Sequence, residues 1–276
     1  MRTLITGAAG RLGIRLARTL AASHDLVLSD IKPLADPRFV RVDITDLEAV
    51  RVAVRGCDAV VHMVILDWPC CSARETLRYG VPCVQVHVAG LHHVLQAALE
   101  AGVRRVVYTS SVSVVDGLPA GTRVDSGTRH YSNAIYGLTK GFGEDLCRMF
   151  HHTYGLSVAV LRLGTIFAPE NGGAWIGNAF HPDPAKCPAP GTATSRVHVD
   201  DVTAAVALAL EAPDLGYTLV HVVGADSGGT WDLKAARRAF GWAPRYAFDT
   251  DGLPRVLPCP AGGRPSPSSS PSSSPS

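Results

Sequence analysis

Short uninterrupted apolar runs alternate along the first two thirds of the chain with stretches whose apolar residues recur every three or four positions. The runs, near residues 2 to 6, 25 to 30, 38 to 42, 58 to 65, 104 to 110 and 157 to 163, are too short for helices and lack polar alternation, so they predict strands buried on both faces. Helices are predicted between them, near 11 to 22, 46 to 55, 83 to 101 and 134 to 154. The order strand, helix, strand implies an α/β fold with a doubly wound parallel sheet, its ligand at the carboxyl ends of the strands.

After residue 164 the regularity fails. Ala168–Gly173 and His181–Pro184 read as loops, followed by a helix near 199 to 211, a strand near 218 to 223 and a helix near 231 to 240. This gives three parts: a dinucleotide-binding core over 1–164, a small substrate-capping region with returning elements over 165–254, and a Pro/Ser-rich tail over 255–276. The tail offers no apolar face and is expected to be disordered. The segment Asp67–Gly80, with Trp68-Pro69-Cys70-Cys71, reads as a loop or surface insertion.

Composition fits one large unit. In 276 residues, 46% hydrophobic and 18% charged, there is enough apolar material for a sizeable core. The net charge of +2 gives no nucleic-acid footprint, and no apolar run approaches the roughly 18 residues of a membrane span. With strand and glycines at the very start, no signal peptide is expected, and the protein is expected in the cytoplasm. The seven cysteines form no Cys-x-x-Cys pair, and His92-His93 and His151-His152 are adjacent rather than on one helix face, so no metal site is expected.

The chemistry starts at the first strand, which runs into Thr6-Gly7-Ala8-Ala9-Gly10-Arg11-Leu12-Gly13 and then a helical pattern. Gly7 permits the tight turn, Gly10 lets backbone approach a pyrophosphate, and Gly13 allows close helix–strand packing, with helix N–H groups at Arg11 and Leu12 facing the phosphates. The second strand ends in Asp30, where a carboxylate can accept the adenosine ribose hydroxyls and repel a 2′-phosphate. NAD is therefore expected over NADP, although Arg11 and Lys32 are basic residues close by. Farther on, Tyr136 and Lys140 stand four apart and share a helix face, so an ammonium can depress the phenol's pKa while Ser111, at the end of the fifth strand, positions a substrate oxygen.

These motifs together resemble the extended short-chain dehydrogenase/reductases, the NAD-dependent epimerase/dehydratase family, from Arg2 to about Pro244. The matching segments include Val42-Asp43-Ile44, Asp58–His62, Ala97–Ser111, Tyr136–Lys140, Leu161–Gly164 and Arg196–Val202. The segments Val220–Asp232 and Phe240–Pro244 are similar to the end of uronate dehydrogenases. The resemblance implies a Rossmann-type core with Asp43 and Ile44 beside the adenine and Val64 near the nicotinamide. It also implies Ser111, Tyr136 and Lys140 as catalytic residues and Ser113, Thr165 and Arg196 at the substrate. Asp200 and Asp201 are expected to cap the helix that follows them, and Arg196 is expected either to bind an anionic group or to pair with one of those two carboxylates.

The chain departs from the uronate-dehydrogenase pattern in three places. Val112-Ser113 stand where those enzymes have Asn-His, Glu170–Trp175 lacks their carboxylate-binding Arg, and His87 replaces the family's usual Asn. The expected activity is NAD-dependent hydride transfer from a hydroxyl carbon of a small sugar or sugar acid. Sugar epimerisation or dehydration, and a non-catalytic NAD(P)-binding sensor, stay open, as does a homodimer through the helices near 83 to 101 and 134 to 154.

Overall fold

The computed structural model describes residues 1–66, 73–119, 121–169, 195–213, 215–250 and 252–258. Seven parallel strands form one sheet in the order β3-β2-β1-β4-β5-β6-β9. They are β1 (Arg2–Thr6), β2 (Asp25–Asp30), β3 (Phe39–Arg41), β4 (Ala59–His62), β5 (Arg105–Ser111), β6 (Ser157–Leu163) and β9 (Tyr217–Val222). Alternate residues of each strand enter opposite cores. Ile5, Val61, Val107, Leu161 and Val220 pack under α1 (Arg11–Leu20), α6 (Val199–Glu211) and α7 (Lys234–Phe240). Leu4, Val60, Val106, Val160 and Leu219 pack under α2 (Leu47–Val54), α4 (Leu91–Glu100) and α5 (Ile135–Tyr154). Each fully buried aliphatic side chain contributes roughly 1.5–3 kcal/mol, which explains the unbroken apolar runs in the sequence.

The strand order reverses between β1 and β4, and at the carboxyl ends beside such a reversal doubly wound sheets hold their ligands. β9, from the expected capping region, pairs with β6 and completes the sheet. Beyond the sheet edge, β7 (Thr165–Phe167) pairs with β8 (Arg196–His198), and β10 (Tyr246–Phe248) pairs antiparallel with β11 (Pro254–Val256).

Three expectations are corrected. The tail does not begin at 255, because Arg255 and Val256 belong to β11; residues 259–276 lie outside the described residues. The helix expected near 83 to 101 starts earlier, as α3 (Ala73–Cys83), so the later part of Asp67–Gly80 is helical; residues 67–72 lie outside the described residues. Pro82 sits inside α3 and brings no N–H, and the helix widens into π turns over Val84–Gly90 before α4 resumes the ordinary pitch. Finally, the cap of α6 is His198, whose Nδ1 accepts Asp200 N–H at 3.2 Å. Asp200 instead binds Arg15 at 2.6 Å, and Asp201 accepts the backbone N–H groups of Arg245 and Tyr246.

Candidate active site

The turn after β1 brings backbone against backbone. Gly7 has φ of 81°, and a Cβ on Gly13 would lie 2.3 Å from the Gly7 carbonyl oxygen, so neither position accepts a side chain. α1 therefore starts hard against the turn, with no side-chain cap and no acidic residue in its first turn. Its first N–H groups have no partner within the helix and suit a phosphate. Asp30, half-buried at the end of β2, accepts Ala9 N–H at 3.0 Å and Lys32 N–H at 2.9 Å. It ties the glycine turn to the neighbouring strand while keeping lone pairs for a ribose. These residues fit a dinucleotide. Asp43 caps its own turn by accepting from Thr45, and the Ile44 side chain packs where a Cβ on Gly90 would come within 2.6 Å. Val64 lies just after β4, its backbone N 3.2 Å from where a Gly7 Cβ would stand, which puts this loop beside the glycine turn.

Across the cleft, β5 ends in Ser111 and α5 begins with Tyr136. Ser111 Oγ accepts Ser113 N–H at 3.1 Å and stands near enough to the Tyr136 phenol to favour its charged form. Burial pushes the phenol up to about 12, and Ser111 pulls it the other way. Lys140, one turn further, is 1% exposed and donates from Nζ to the Thr109 carbonyl at 2.9 Å. Burial lowers its ammonium to about 7, with Cys147 and Glu144 opposing the shift. The structure thus sets Ser111, at the end of β5, beside Tyr136, at the start of α5, with Lys140 one turn further along the helix. Its ammonium faces the Thr109 carbonyl, which differs from the expectation that it acts on the phenol directly.

Sequence reasoning did not assign the polar network beneath this group. Glu144, one turn past Lys140, accepts from Ser110 Oγ at 2.6 Å and from Arg162 Nε and Nη2 at 2.9 and 2.8 Å, and both members of the pair are almost fully buried. The signal was available: an arginine inside the apolar run of β6 and a glutamate on the Tyr136–Lys140 face of α5. His87 was noted only as a replacement, yet it is 2% exposed and bonded at both ring nitrogens.

On the substrate side, Thr165 pairs in register with Arg196 beyond the end of β6. The Arg196 guanidinium packs on Gly252, and its buried Nη1 has no hydrogen-bond partner among the described residues. The expected alternative, a salt bridge to Asp200 or Asp201, does not form, because those carboxylates are engaged as described above. Glu170–Trp175 lies outside the described residues. Among the described residues no helix is long and apolar enough to cross a membrane.

The chain is 31% identical over 250 residues to uronate dehydrogenase of Pseudomonas syringae, covering 88% of this chain and 82% of that protein. It superposes on the crystal structure of uronate dehydrogenase from Agrobacterium tumefaciens, a tyrosine-to-alanine mutant complexed with NAD. The TM-score there is 0.69 at 28% identity, covering 88% of this chain and 84% of that one. The L-arabinose 1-dehydrogenase (NAD(P)+) of Haloferax volcanii is 28% identical over 181 residues, 61% of this chain and 68% of that protein. The model of the NAD dependent epimerase/dehydratase family matches residues 3–223, across the glycine turn, the Ser111/Tyr136/Lys140 group and all seven strands of the sheet, and the chain belongs to that family.

Proposed function

We propose that the protein oxidises one hydroxyl-bearing carbon of a small sugar or sugar acid, with NAD as hydride acceptor. The observation that carries this reading is the placement of Ser111 at the carboxyl end of β5 and Tyr136 at the start of the neighbouring α5, backed by the buried Lys140 one turn on. Ser111 holds the reacting oxygen. Tyr136, once deprotonated, takes the hydroxyl proton, and its position next to Ser111 directs both groups at the same atom. Bound NAD supplies a positively charged ring next to the phenol and accepts the hydride. Lys140, in its charged form and held at the Thr109 carbonyl, would offer donors to the nicotinamide ribose. Glu144, bound to Ser110 and within Coulombic reach of Lys140, favours that charged form.

Arg196 gives the substrate its class. A buried guanidinium Nη1 with no partner among the described residues, beside Thr165, favours an anionic group such as a uronate carboxylate. The similarity to an L-arabinose dehydrogenase supports a second reading, in which the sugar is neutral and Arg196 only packs on Gly252. The cap over 165–254, a homodimer through the helical stretches near 83 to 101 and 134 to 154, and a cytoplasmic location belong to the same proposal.

The test is a panel of uronic acids, aldoses, small alcohols and nucleotide sugars with NAD or NADP, read by reduced-cofactor absorbance for wild type, Tyr136→Phe and Arg196→Ala. Uronates are expected to turn over with NAD, Tyr136→Phe to lose about 10²-fold or more in rate, and Arg196→Ala to raise KM for acids far more than for neutral sugars. Equal KM effects on acids and neutral sugars would favour the neutral-sugar reading. Tight binding of a nucleotide sugar without net NADH production would refute the proposal in favour of epimerisation.

A further inference from the structure

His87 lies at the middle of the π-helical stretch Val84–Gly90, almost fully buried. Its Nε2 stands 2.9 Å from Leu66 N–H, in the loop that follows β4. A backbone amide can only donate, so Nε2 must be the unprotonated acceptor nitrogen and the ring proton of the neutral imidazole must sit on Nδ1. Nδ1 is 2.9 Å from Thr139 Oγ1, which in turn donates to the Tyr136 carbonyl at 3.0 Å. The chain of donors runs one way: Leu66 N–H to His87, His87 to Thr139, Thr139 to the backbone of Tyr136. The imidazole also meets the Tyr136 ring edge to face, with centroids 5.7 Å apart.

The two ends of this chain belong to opposite walls of the cleft. Leu66 ends the described loop after β4, whose start at Met63 and Val64 lies 3.1–3.2 Å from where a Cβ on Gly7 would stand, so this loop borders the glycine turn. Thr139 and Tyr136 belong to α5, the wall that carries the phenol. We propose that His87 is a positioning residue: a neutral, doubly hydrogen-bonded strut that fixes the wall beside the glycine turn against the Tyr136 turn of α5 and so sets where the phenol stands relative to a bound dinucleotide. The functional half of this inference rests on the role of Tyr136 proposed above; the strut itself does not. A neutral ring is the form the surroundings enforce. Lys140 and Tyr136 face it, His62 lies within its Coulombic reach, and burial with the Lys140 charge lowers its own pKa to about 3.

The ring's geometry separates its two bonds. An Asn side chain reaches only as far as Nδ1 and can keep the Thr139 bond. A Gln reaches as far as Nε2 and can keep the Leu66 bond, and Leu keeps neither. The experiment is a long-range 1H–15N NMR spectrum of the full chain from pH 5 to 9, with NAD titration calorimetry and kinetics on His87→Asn, His87→Gln and His87→Leu. The expected result is an Nδ1–H imidazole that does not titrate in that range. NAD affinity should fall about tenfold in the Asn and Leu variants but stay within about twofold in Gln. A misplaced phenol should cost kcat by up to about 100-fold in Leu, less in Asn and Gln, with substrate KM changed less than about threefold. An Nε2–H tautomer, or titration between pH 5 and 9, would overturn the strut even if no variant folds. Equal losses in all three variants would reduce His87 to packing. If the wild type oxidises no sugar, the proposed function fails while the tautomer and the NAD titrations still decide the strut.

Discussion

Replacing Lys140 with methionine is expected to stabilise the folded chain while abolishing its chemistry. Lys140 is 1% exposed, and burial brings its ammonium from 10.5 down to about 7. Between those two values the unfolded chain holds a proton that the folded chain has lost, so stability rises with pH across that window. Below about pH 7 the folded state carries the whole cost of the buried charge, roughly 4–5 kcal/mol at about 1.36 kcal/mol per pH unit. Methionine fills the same channel without a charge. It also leaves the Thr109 carbonyl without the Nζ donor, a loss of about 1–3 kcal/mol. The net gain at pH 6 is therefore about 1–4 kcal/mol, which for a chain of this size raises Tm by about 2–15 °C. Calorimetric melts of cofactor-stripped wild type and Lys140→Met from pH 6 to 10 read it directly. The wild-type curve should climb with pH and reach or pass that of the variant near pH 10. A variant that melts below wild type at pH 6, or two curves that run parallel, would refute the reasoning.

Other perturbations test other parts of the molecule. Arg162→Leu or Glu144→Leu should each destabilise by about 3–5 kcal/mol, because each leaves a buried partner without its main counterpart, and the double variant Glu144→Leu/Arg162→Leu should cost less than the sum of the two; additive losses in denaturant melts would argue against a coupled pair. Asp30→Asn should weaken NAD by about tenfold and narrow the preference over NADP, since it removes the charge but keeps an acceptor for Ala9 N–H; wild type already preferring NADP in titration would contradict the assignment. Truncation after Pro258 should leave Tm unchanged, whereas truncation after Pro254 removes the strand partners of Tyr246 and Ala247 and should lower it by a few degrees, about the effect of 1–2 kcal/mol. Coincident melts for both truncations would mean that β11 adds nothing to stability.

The sheet was legible because buried parallel strands leave uninterrupted apolar runs, and Leu4-Ile5, Val60-Val61 and Val106-Val107 each supply both cores at once. The helices around it were legible for the same reason, through one apolar face. The ribbons were not. Thr165-Ile166-Phe167 is only partly buried, and its partner Arg196-Val197-His198 lies a long excursion away, so neither shows a period of its own. The helix start at Ala73 was hidden by Pro82, which ordinarily argues for a boundary and here sits inside a helix that widens after it. In the site, the residue types were legible and their partners were not. Tyr136, Lys140 and Ser111 stand out by spacing, but that Lys140 faces the Thr109 carbonyl, that His198 caps α6 in place of the two aspartates, and that His87 spans two walls are facts of tertiary distance.

The pairing of Thr165 with Arg196 means that the chain leaves the core and returns to it at one point. The crossing is tight: a Cβ on Gly164 would lie 2.0 Å from the Ser195 carbonyl oxygen, so the outgoing and incoming backbones touch. The fold has thus already brought together the two ends of the stretch between them. The entropy of closing such a stretch grows only with the logarithm of its length, about 0.6 kcal/mol for each doubling. Insertions and deletions at this point are thus nearly neutral for the sheet, for the cofactor cleft and for the Ser111–Tyr136 pair. A new substrate-facing lobe can be fitted to an old catalytic base by changing the length of one excursion, without renegotiating the stability of the rest.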